Sequence, residues 1–228
     1  MTRSSASTAR QLRLDLRKAP SHARAEFVVS ACNEAAVAAV DAWPRWPGGK
    51  LALIGPAGSG KTHLARAWAA EVGATTPELE GGLVSATAGP ILVEDADRRK
   101  SDELLFHLCN MADGGAPLLI TGRTPPATWR VRLPDLASRL KALTVARIEP
   151  LDDVVLLGVM AKLFSERNIR PTAGVPAYIL QRIERSASAV QDIVGRIDEW
   201  AGTENREVTL ALARDILHAD AATAEPKA

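Results

Sequence analysis

The sequence predicts an α/β fold in which a parallel sheet flanked by helices is followed by a small all-α domain. Two observations predict this fold. Up to Pro150, short apolar runs alternate with helical segments, a pattern typical of parallel strands joined by helices. After Pro150, the apolar residues follow helical spacing only. We therefore place the division near Leu151.

The first part, residues 25–150, contains four apolar runs that are candidate strands. The alanine-rich stretch from Phe27 to Ala42 is predicted to be helical, with a start near Asn33. A second helix is predicted over about 61–72, and a third, which Ser101 or Asp102 can cap, is predicted to end near Ala112. The four candidate strands are 51–54, 91–93, 118–121 and 143–148.

The second part, residues 151–220, is predicted to be helical throughout. Asp152 is a candidate helix cap, and Pro176 suits the first turn of another helix. Ser188 is the expected cap of a helix with an apolar face that begins at Val190. Thr209 begins the last helix, which is predicted to end near His218. We expect residues 221–228 to be frayed.

Composition excludes several classes of protein. The 228 residues include 28 Lys and Arg against 27 Asp and Glu, a net charge of +1. A dedicated nucleic-acid-binding domain is usually strongly basic, so we expect no strong direct DNA binding. No apolar run approaches the roughly 18 residues of a membrane span. The two cysteines form no disulfide or metal pattern, so a cytoplasmic protein is expected.

The N-terminal residues 1–24 are basic and polar, and this composition predicts a flexible tail. Within this tail, Leu12, Leu14 and Leu16 alternate with Arg13 and Asp15. A period of two favours an extended peptide over a helix.

The strongest motif is a glycine-rich loop of the form G-x-x-x-x-G-K-[ST], placed between a predicted strand and a predicted helix. Such a loop surrounds phosphate groups with backbone N–H groups, while its lysine reaches the β- and γ-phosphates and its hydroxyl ligates Mg²⁺. A glycine turn with an incidental lysine is the alternative interpretation. The candidate residues are Gly55, Gly58, Ser59, Gly60, Lys61 and Thr62.

Carboxylates follow the second predicted strand. A phosphate loop needs an acidic residue on a neighbouring strand to hold its metal, and Glu94 and Asp95 end the apolar run 91–93. The alternative is a strand that exits into a charged turn. Thr121 ends the third strand, where a polar side chain could face the γ-phosphate or simply form a turn.

Further segments add to the phosphate loop. They are Phe27-Val-Val with Asn33, Trp46-Pro, the His63-Leu extension of the phosphate loop, Leu118-Leu-Ile-Thr-Gly-Arg-Thr-Pro-Pro126 and Leu133-Pro-Asp-Leu-Ala-Ser-Arg-Leu140. Together, over roughly residues 10–220, they resemble the DnaA/Hda family of AAA+ proteins, most closely its shorter, Hda-like members, which inactivate the initiator DnaA. The resemblance implies an AAA+ P-loop NTPase fold with a helical lid.

The resemblance also implies ligands and partners. It implies bound ADP or ATP with Mg²⁺, and it adds His63 to the nucleotide-binding residues. Thr62 and Glu94 would hold the metal, while Asp95 and Thr121 would act at the reacting phosphate. Gln11, Leu12, Leu14 and Leu16 resemble the peptide with which such proteins bind the DNA polymerase III sliding clamp, although an ordinary tail with three leucines is the alternative.

By the same resemblance, Arg139 is an arginine finger that acts on the ATP of DnaA. A guanidinium supplied by one protein to another's nucleotide neutralises charge that develops in the transition state. Spacing alone would favour a surface arginine. Self-association is also possible for this fold.

Two positions depart from the family pattern. The family has two aspartates where this chain has Glu94 and Asp95, and its lid arginine aligns with Gln191. Glutamine cannot neutralise a phosphate, so we expect weak intrinsic hydrolysis. A shift of register would bring Arg185 or Arg196 into the role of the lid arginine.

Three functions remain open on the sequence alone. The leading hypothesis is a regulator that joins the clamp to DnaA, stimulates hydrolysis of DnaA-bound ATP and negatively regulates initiation of chromosomal replication. The alternatives are an autonomous AAA+ ATPase such as a helicase loader and a P-loop phosphotransferase for a small molecule. The all-helical second part counts against the phosphotransferase.

Overall fold

The computed structural model describes residues 23–77, 89–98, 101–204 and 207–223. Its first part is built on a parallel four-stranded sheet with the order β2-β3-β1-β4, so the predicted α/β class is confirmed. Because β1 pairs with β3 on one side and β4 on the other, the loop that follows β1 opens at the middle of the carboxyl edge. The strands are β1 Lys50–Ile54, β2 Ile91–Val93, β3 Leu118–Gly122 and β4 Thr144–Arg147.

Helices cover both faces of the sheet. Alternate residues of a strand point to opposite faces. Accordingly, Leu51 and Leu53 belong to one buried cluster, with α1 and α2, whereas Ala52 belongs to another, with α3 and α4. The helices of this part are α1 Glu34–Asp41, α2 Lys61–Val72, α3 Asp102–Asp113 and α4 Pro134–Lys141.

The second part consists of helices, and its core is continuous with the α1 and α2 face of the sheet. Asp152 caps the first helix through a hydrogen bond from the Val155 N–H, as the sequence predicts. None of the helices in the described ranges has the length and apolarity that a membrane span requires. The helices are α5 Asp153–Glu166, α6 Val175–Leu180, α7 Ala187–Glu204 and α8 Leu210–Thr223.

Two helix ends in the second part differ from the sequence prediction. The expected cap Ser188 lies inside α7, and Ser186 caps the helix instead, since its hydroxyl accepts a hydrogen bond from the Ala189 N–H at 3.1 Å. The last helix, α8, continues to Thr223, so the predicted end near His218 is wrong by five residues and the helix extends into the predicted frayed tail.

A partly buried set of hydrogen bonds connects the segment before α1 to the start of α5. The side chain of Asn33 is fully buried and satisfied at both ends, because it accepts from the Ser30 N–H and donates to the Val28 carbonyl, both at 2.9 Å. The Ser30 hydroxyl in turn donates to the Asp152 carboxylate at 2.6 Å. The hydrogen bonds from Ser30 and then from the Val155 N–H lower the pKa of Asp152.

We expect Asp152→Ala to lower the free energy of unfolding at pH 7 by about 1 kcal/mol, because α5 loses its cap. A carboxyl with a lowered folded-state pKa stabilises the fold above its unfolded pKa of about 4, and this contribution is lost as the pH falls through the folded value. The difference between wild type and variant should therefore shrink below about pH 4. Urea unfolding at several pH values measures it, with the exposed helix residue changed in Asp192→Ala as control. A pH-independent difference would contradict the expectation.

Candidate nucleotide-binding site

The glycine-rich loop leaves β1 at Ile54 and enters α2 at Lys61. Gly58 and Gly60 have φ values of +67° and +92°, which side chains other than glycine rarely adopt. A side chain at Gly60 would also press on the Phe27 ring, 3.2 Å from the position of its Cβ. The loop is thus shaped by glycines at the points where the backbone turns and where a neighbour approaches. The remaining loop residue of the predicted set, Ser59, is buried at 2% exposure.

Lys61 lies inside this loop. Its ammonium donates to the carbonyl oxygens of Gly55 at 2.9 Å and Pro56 at 2.7 Å, and the residue is only 7% exposed. Burial lowers the pKa of Lys61, Asp95 opposes that shift, and Arg123 adds to it. The cation is therefore held at the N-terminus of α2, where the helix dipole is positive. This arrangement fits the phosphate groups of a nucleotide.

The two predicted metal-binding residues lie at the same edge of the sheet. Thr62 is exposed at the start of α2, and Glu94 follows β2. Their hydroxyl and carboxylate oxygens are the ligand types that Mg²⁺ prefers, so the chemistry of the pair fits the metal. However, the Glu94 carboxylate is already paired with Arg66 at 2.9 Å. The resemblance could not indicate this pair, which links residues 28 positions apart.

Two hydrogen bonds join the loop after β2 to the end of β3. The Asp95 N–H donates to the Thr121 hydroxyl at 3.0 Å, and the Arg123 N–H donates to the Asp97 carboxylate at 2.8 Å. Asp95 itself is exposed and has a φ of +49°, an unusual backbone conformation for a residue with a side chain. The predicted pair Asp95 and Thr121 is thus brought together beside the phosphate loop. Asp97 and Arg123, which form the second hydrogen bond, were not predicted as site residues.

The sequence offered a weak signal for Asp97. It is the third acidic residue within four positions after β2, in a segment whose alternative interpretation was a charged turn. One of its carboxylate oxygens is buried and has no hydrogen-bond partner among the described residues. A buried oxygen of this kind calls for a further donor or cation.

His63 packs edge-on against the Phe27 ring, with a centroid distance of 5.3 Å. Its Nε2 lies 3.2 Å from the Ala23 carbonyl oxygen. The segment before α1 therefore packs over the start of α2. Phe27 lies beside the phosphate loop, a position that the loop motif did not indicate.

The second part of the chain contacts the phosphate loop through the start of α7. The Ala187 N–H donates to the Gly58 carbonyl at 3.0 Å, and a Cβ at Gly58 would lie 2.7 Å from the Cβ of Ser186. The predicted lid position, Gln191, is exposed more than one helical turn beyond this contact. The residues that touch the loop are Ser186, Ala187 and Ser188.

The two alternative lid arginines occupy different places. Arg185 immediately precedes the loop contact, and it donates to the Leu151 carbonyl at 3.2 Å and to Asp153 at 2.6 Å. Arg196 instead donates to the Ile216 carbonyl of α8. Of the two, Arg185 is the one that lies beside the phosphate loop.

Arg139 lies on α4, away from this edge. Its guanidinium pairs with Asp113 at the end of α3 and lies 5.2 Å from the centroid of the Phe106 ring. Asp113 also pairs with Lys50, the first residue of β1. The phosphate loop follows the last residue of β1, about 13 Å further along the strand. Arg139 and the loop are therefore at opposite ends of the sheet. The predicted clamp-binding residues 11–16 lie outside the described residues.

Solved structures resemble this chain, although no family model matches it. Domain III of the replication initiation protein DnaA from Thermotoga maritima has a TM-score of 0.72 at 17% identity, over 88% of this chain and 97% of that one. AMPPCP-bound DnaA from Aquifex aeolicus gives 0.58 at 18%, over 75% and 63%. The Thermotoga maritima RuvB Holliday junction branch migration motor gives 0.57 at 15%, over 75% and 61%. At these identities the comparisons show the fold, which is the AAA+ α/β fold.

We expect Gly58→Ala to destabilise the protein more than Gly73→Ala. Both glycines have a φ of +67°, so both variants lose the roughly 1–2 kcal/mol that a left-handed residue with a side chain costs. A Cβ at Gly73 meets nothing within 4 Å, whereas one at Gly58 collides with Ser186 and must displace the start of α7. Urea unfolding of both variants measures the difference. Equal losses would show that the contact between α7 and the loop is absent in solution.

Proposed function

We propose that this protein is an adenine-nucleotide-binding AAA+ regulator that acts with the DNA-loaded sliding clamp. In this proposal it stimulates hydrolysis of ATP bound to DnaA and thereby restrains initiation of chromosomal replication in the cytoplasm. The observation that carries the proposal is the position of Arg139 at the end of the sheet opposite its own phosphate loop. A guanidinium in this place is suited to a nucleotide held by another protein.

Nucleotide binding is supported by the phosphate loop. Its glycines place the backbone turn against the start of α2, and Lys61 supplies a buried positive charge. Thr62 and Glu94 would hold Mg²⁺, which supplies charge neutralisation between the β- and γ-phosphates. DnaA, a neighbour in fold, has been seen with AMPPCP. ADP and ATP are the ligands that we propose for this chain.

The surroundings of Arg139 suit a residue offered to a partner. Its side chain is about one-third exposed, and its guanidinium is aligned by Phe106 and Asp113 before any partner arrives. Asp113 also pairs with Lys50, so it keeps a cationic partner when Arg139 turns to a phosphate. The energetic loss on release is small, since exposed ion pairs contribute only about 0–1 kcal/mol.

The autonomous ATPase is a second candidate, and one observation favours it. Lys61, Asp95 and Thr121 are assembled at one edge of this chain, as hydrolysis in the chain's own site requires. That candidate predicts substantial turnover by the isolated chain, abolished in Lys61→Ala. Our proposal predicts at most weak turnover, because Gln191 brings no charge and Glu94 is paired with Arg66.

We expect Arg139→Ala to abolish the stimulation of DnaA-bound ATP hydrolysis, with a loss of about 10³-fold or more, as for other arginines supplied in trans. The assay follows hydrolysis of labelled ATP on DnaA with clamp and DNA. Lys141→Ala is the matched control, since it removes an exposed cation from the same helix. Nucleotide binding by the variant itself should be unchanged. Full stimulation by Arg139→Ala would refute the assigned role.

We expect the double change of Gln11 and Leu14 to Ala to remove binding to the clamp while nucleotide binding persists. The physical reason is that a glutamine amide and alternate leucines supply the polar and apolar contacts of an extended peptide in a groove. Pull-down with purified clamp measures the interaction. Arg13→Ala changes a residue between the two and serves as the control. Retention of the double variant on the clamp would exclude this peptide as the binding segment.

A further inference from the structure

Arg66 and Glu94 form an ion pair at the edge of the sheet where the metal-binding residues lie. Arg66 follows Thr62 by four positions on α2, so these two side chains lie on the same face of the helix. The Nε atom of Arg66 and one of its terminal nitrogens both lie 2.9 Å from Oε2 of Glu94. The guanidinium thus contacts one of the two residues proposed as metal ligands and lies one helical turn from the other.

The surroundings of Glu94 require a positive charge. Its side chain is only 15% exposed, whereas that of Arg66 is 50% exposed. A largely buried carboxylate is costly without an opposite charge, and Arg66 supplies that charge. The carboxylates of Asp95 and Asp97 act on the ammonium of Lys61 in a similar way. The three acidic residues that follow β2 therefore already face cations of the chain itself.

A guanidinium and a magnesium ion would compete for the carboxylate of Glu94. Mg²⁺ takes oxygen ligands at about 2.0–2.1 Å, and two positive charges at such short range repel each other. Oε2 of Glu94 already accepts a charge-assisted hydrogen bond from Arg66, which is about twice as strong as a neutral one. Arg66 must therefore move away before this oxygen can serve a metal.

We propose that Arg66 is a positioning residue that competes with Mg²⁺ for Glu94 and so weakens the dependence of nucleotide binding on the metal. The inference rests on the proposed nucleotide binding and concerns how that site is regulated. The N-terminus of α2 and the ammonium of Lys61 neutralise phosphate charge without the metal. Weak hydrolysis then follows from an occupied metal ligand as well as from the neutral side chain of Gln191.

Isothermal titration of ADP into the full chain tests the inference. The titration is done once with Mg²⁺ and once with EDTA, and the ratio of the two dissociation constants measures the metal dependence. Arg66→Ala should raise this ratio by ~10-fold, the lower end of the usual effect of a hydrogen bond to a charged group, since Arg66 is half-exposed. The rise is expected because the variant frees Glu94 for the metal.

Three further variants show whether the effect passes through Glu94. Adding Glu94→Gln to Arg66→Ala should remove the rise, because the second change takes away the carboxylate that the first one frees. Arg66→Lys should keep part of the wild-type behaviour, since lysine retains the charge but not the forked N–H groups. Arg214→Ala removes an exposed arginine of α8 and should leave the ratio unchanged.

Circular dichroism and urea unfolding check that each variant folds. Arg66→Ala leaves a largely buried carboxylate without this partner, which costs stability. Where Arg66→Ala does not fold, Arg66→Gln takes its place, because the amide can still donate to Glu94 but carries no charge that repels the metal. A rise in the ratio is expected in this variant too.

Two outcomes would overturn the inference while leaving nucleotide binding intact. An equal ratio in wild type and in a folded Arg66 variant without the charge would show that Arg66 does not compete with the metal. A rise that persists after the addition of Glu94→Gln would assign the effect to the charge of Arg66 rather than to its hold on Glu94. If wild type bound no ADP, the proposed function would fail as well, so the two failures are distinguishable.

Discussion

The pairing of β1 with both β3 and β4 is the constraint on which the site depends. The pairing with β3 runs residue by residue from Lys50 to Ile54, and the hydrogen bond from Gly55 to Gly122 continues it into the loops. The first residue of the phosphate loop is therefore fixed against the polar end of β3. Thr121 and Arg123 owe their positions to this register, since a slip of one residue would turn Thr121 to the other face of the sheet.

The same constraint separates the two cationic centres of the molecule. Strand β1 begins at Lys50, beside Asp113 and Arg139, and ends at the loop that holds Lys61. The strand is buried from Leu51 to Ile54, so its two ends are held at a fixed separation in the folded protein. The phosphate loop thus lies at one end of the sheet, and the partly exposed guanidinium of Arg139 lies at the other.

The sequence predicted the elements well where a single physical signal dominated. Strand β2 has the predicted bounds because a short, fully apolar run is typical of a buried strand. Ser101 and Asp152 cap their helices as predicted, and in each case the cap is followed by at least one acidic residue and then by an apolar stretch. At the start of α7, two serines compete within three positions. Ser186, which caps the helix, is also the serine that packs against Gly58. Gly58 lies more than 120 positions earlier in the chain, so the local sequence pattern cannot indicate this contact.

The candidate site was predicted less completely for the same reason. The motif identifies the phosphate loop because its chemistry is local. The pair of Glu94 with Arg66 and the hydrogen bond from Arg123 to Asp97 each join different elements, so their partners are set by the sheet order rather than by spacing. From the local sequence alone, Asp97 is reasonably interpreted as part of a charged turn after β2. Only the fold places this residue under the end of β3.

The start of α7 adds a final consequence for how the two parts of the chain work together. Ala187 donates its N–H to the Gly58 carbonyl, so the helical part rests on the loop that would receive phosphates. Ser186 is buried in this contact, at 3% exposure. A bound nucleotide would therefore either leave this contact in place or displace the start of α7, and in the second case the position of α7 would report on the loop. In the function proposed above, such coupling would let the state of the phosphate loop alter the surface that the helical part offers to partners.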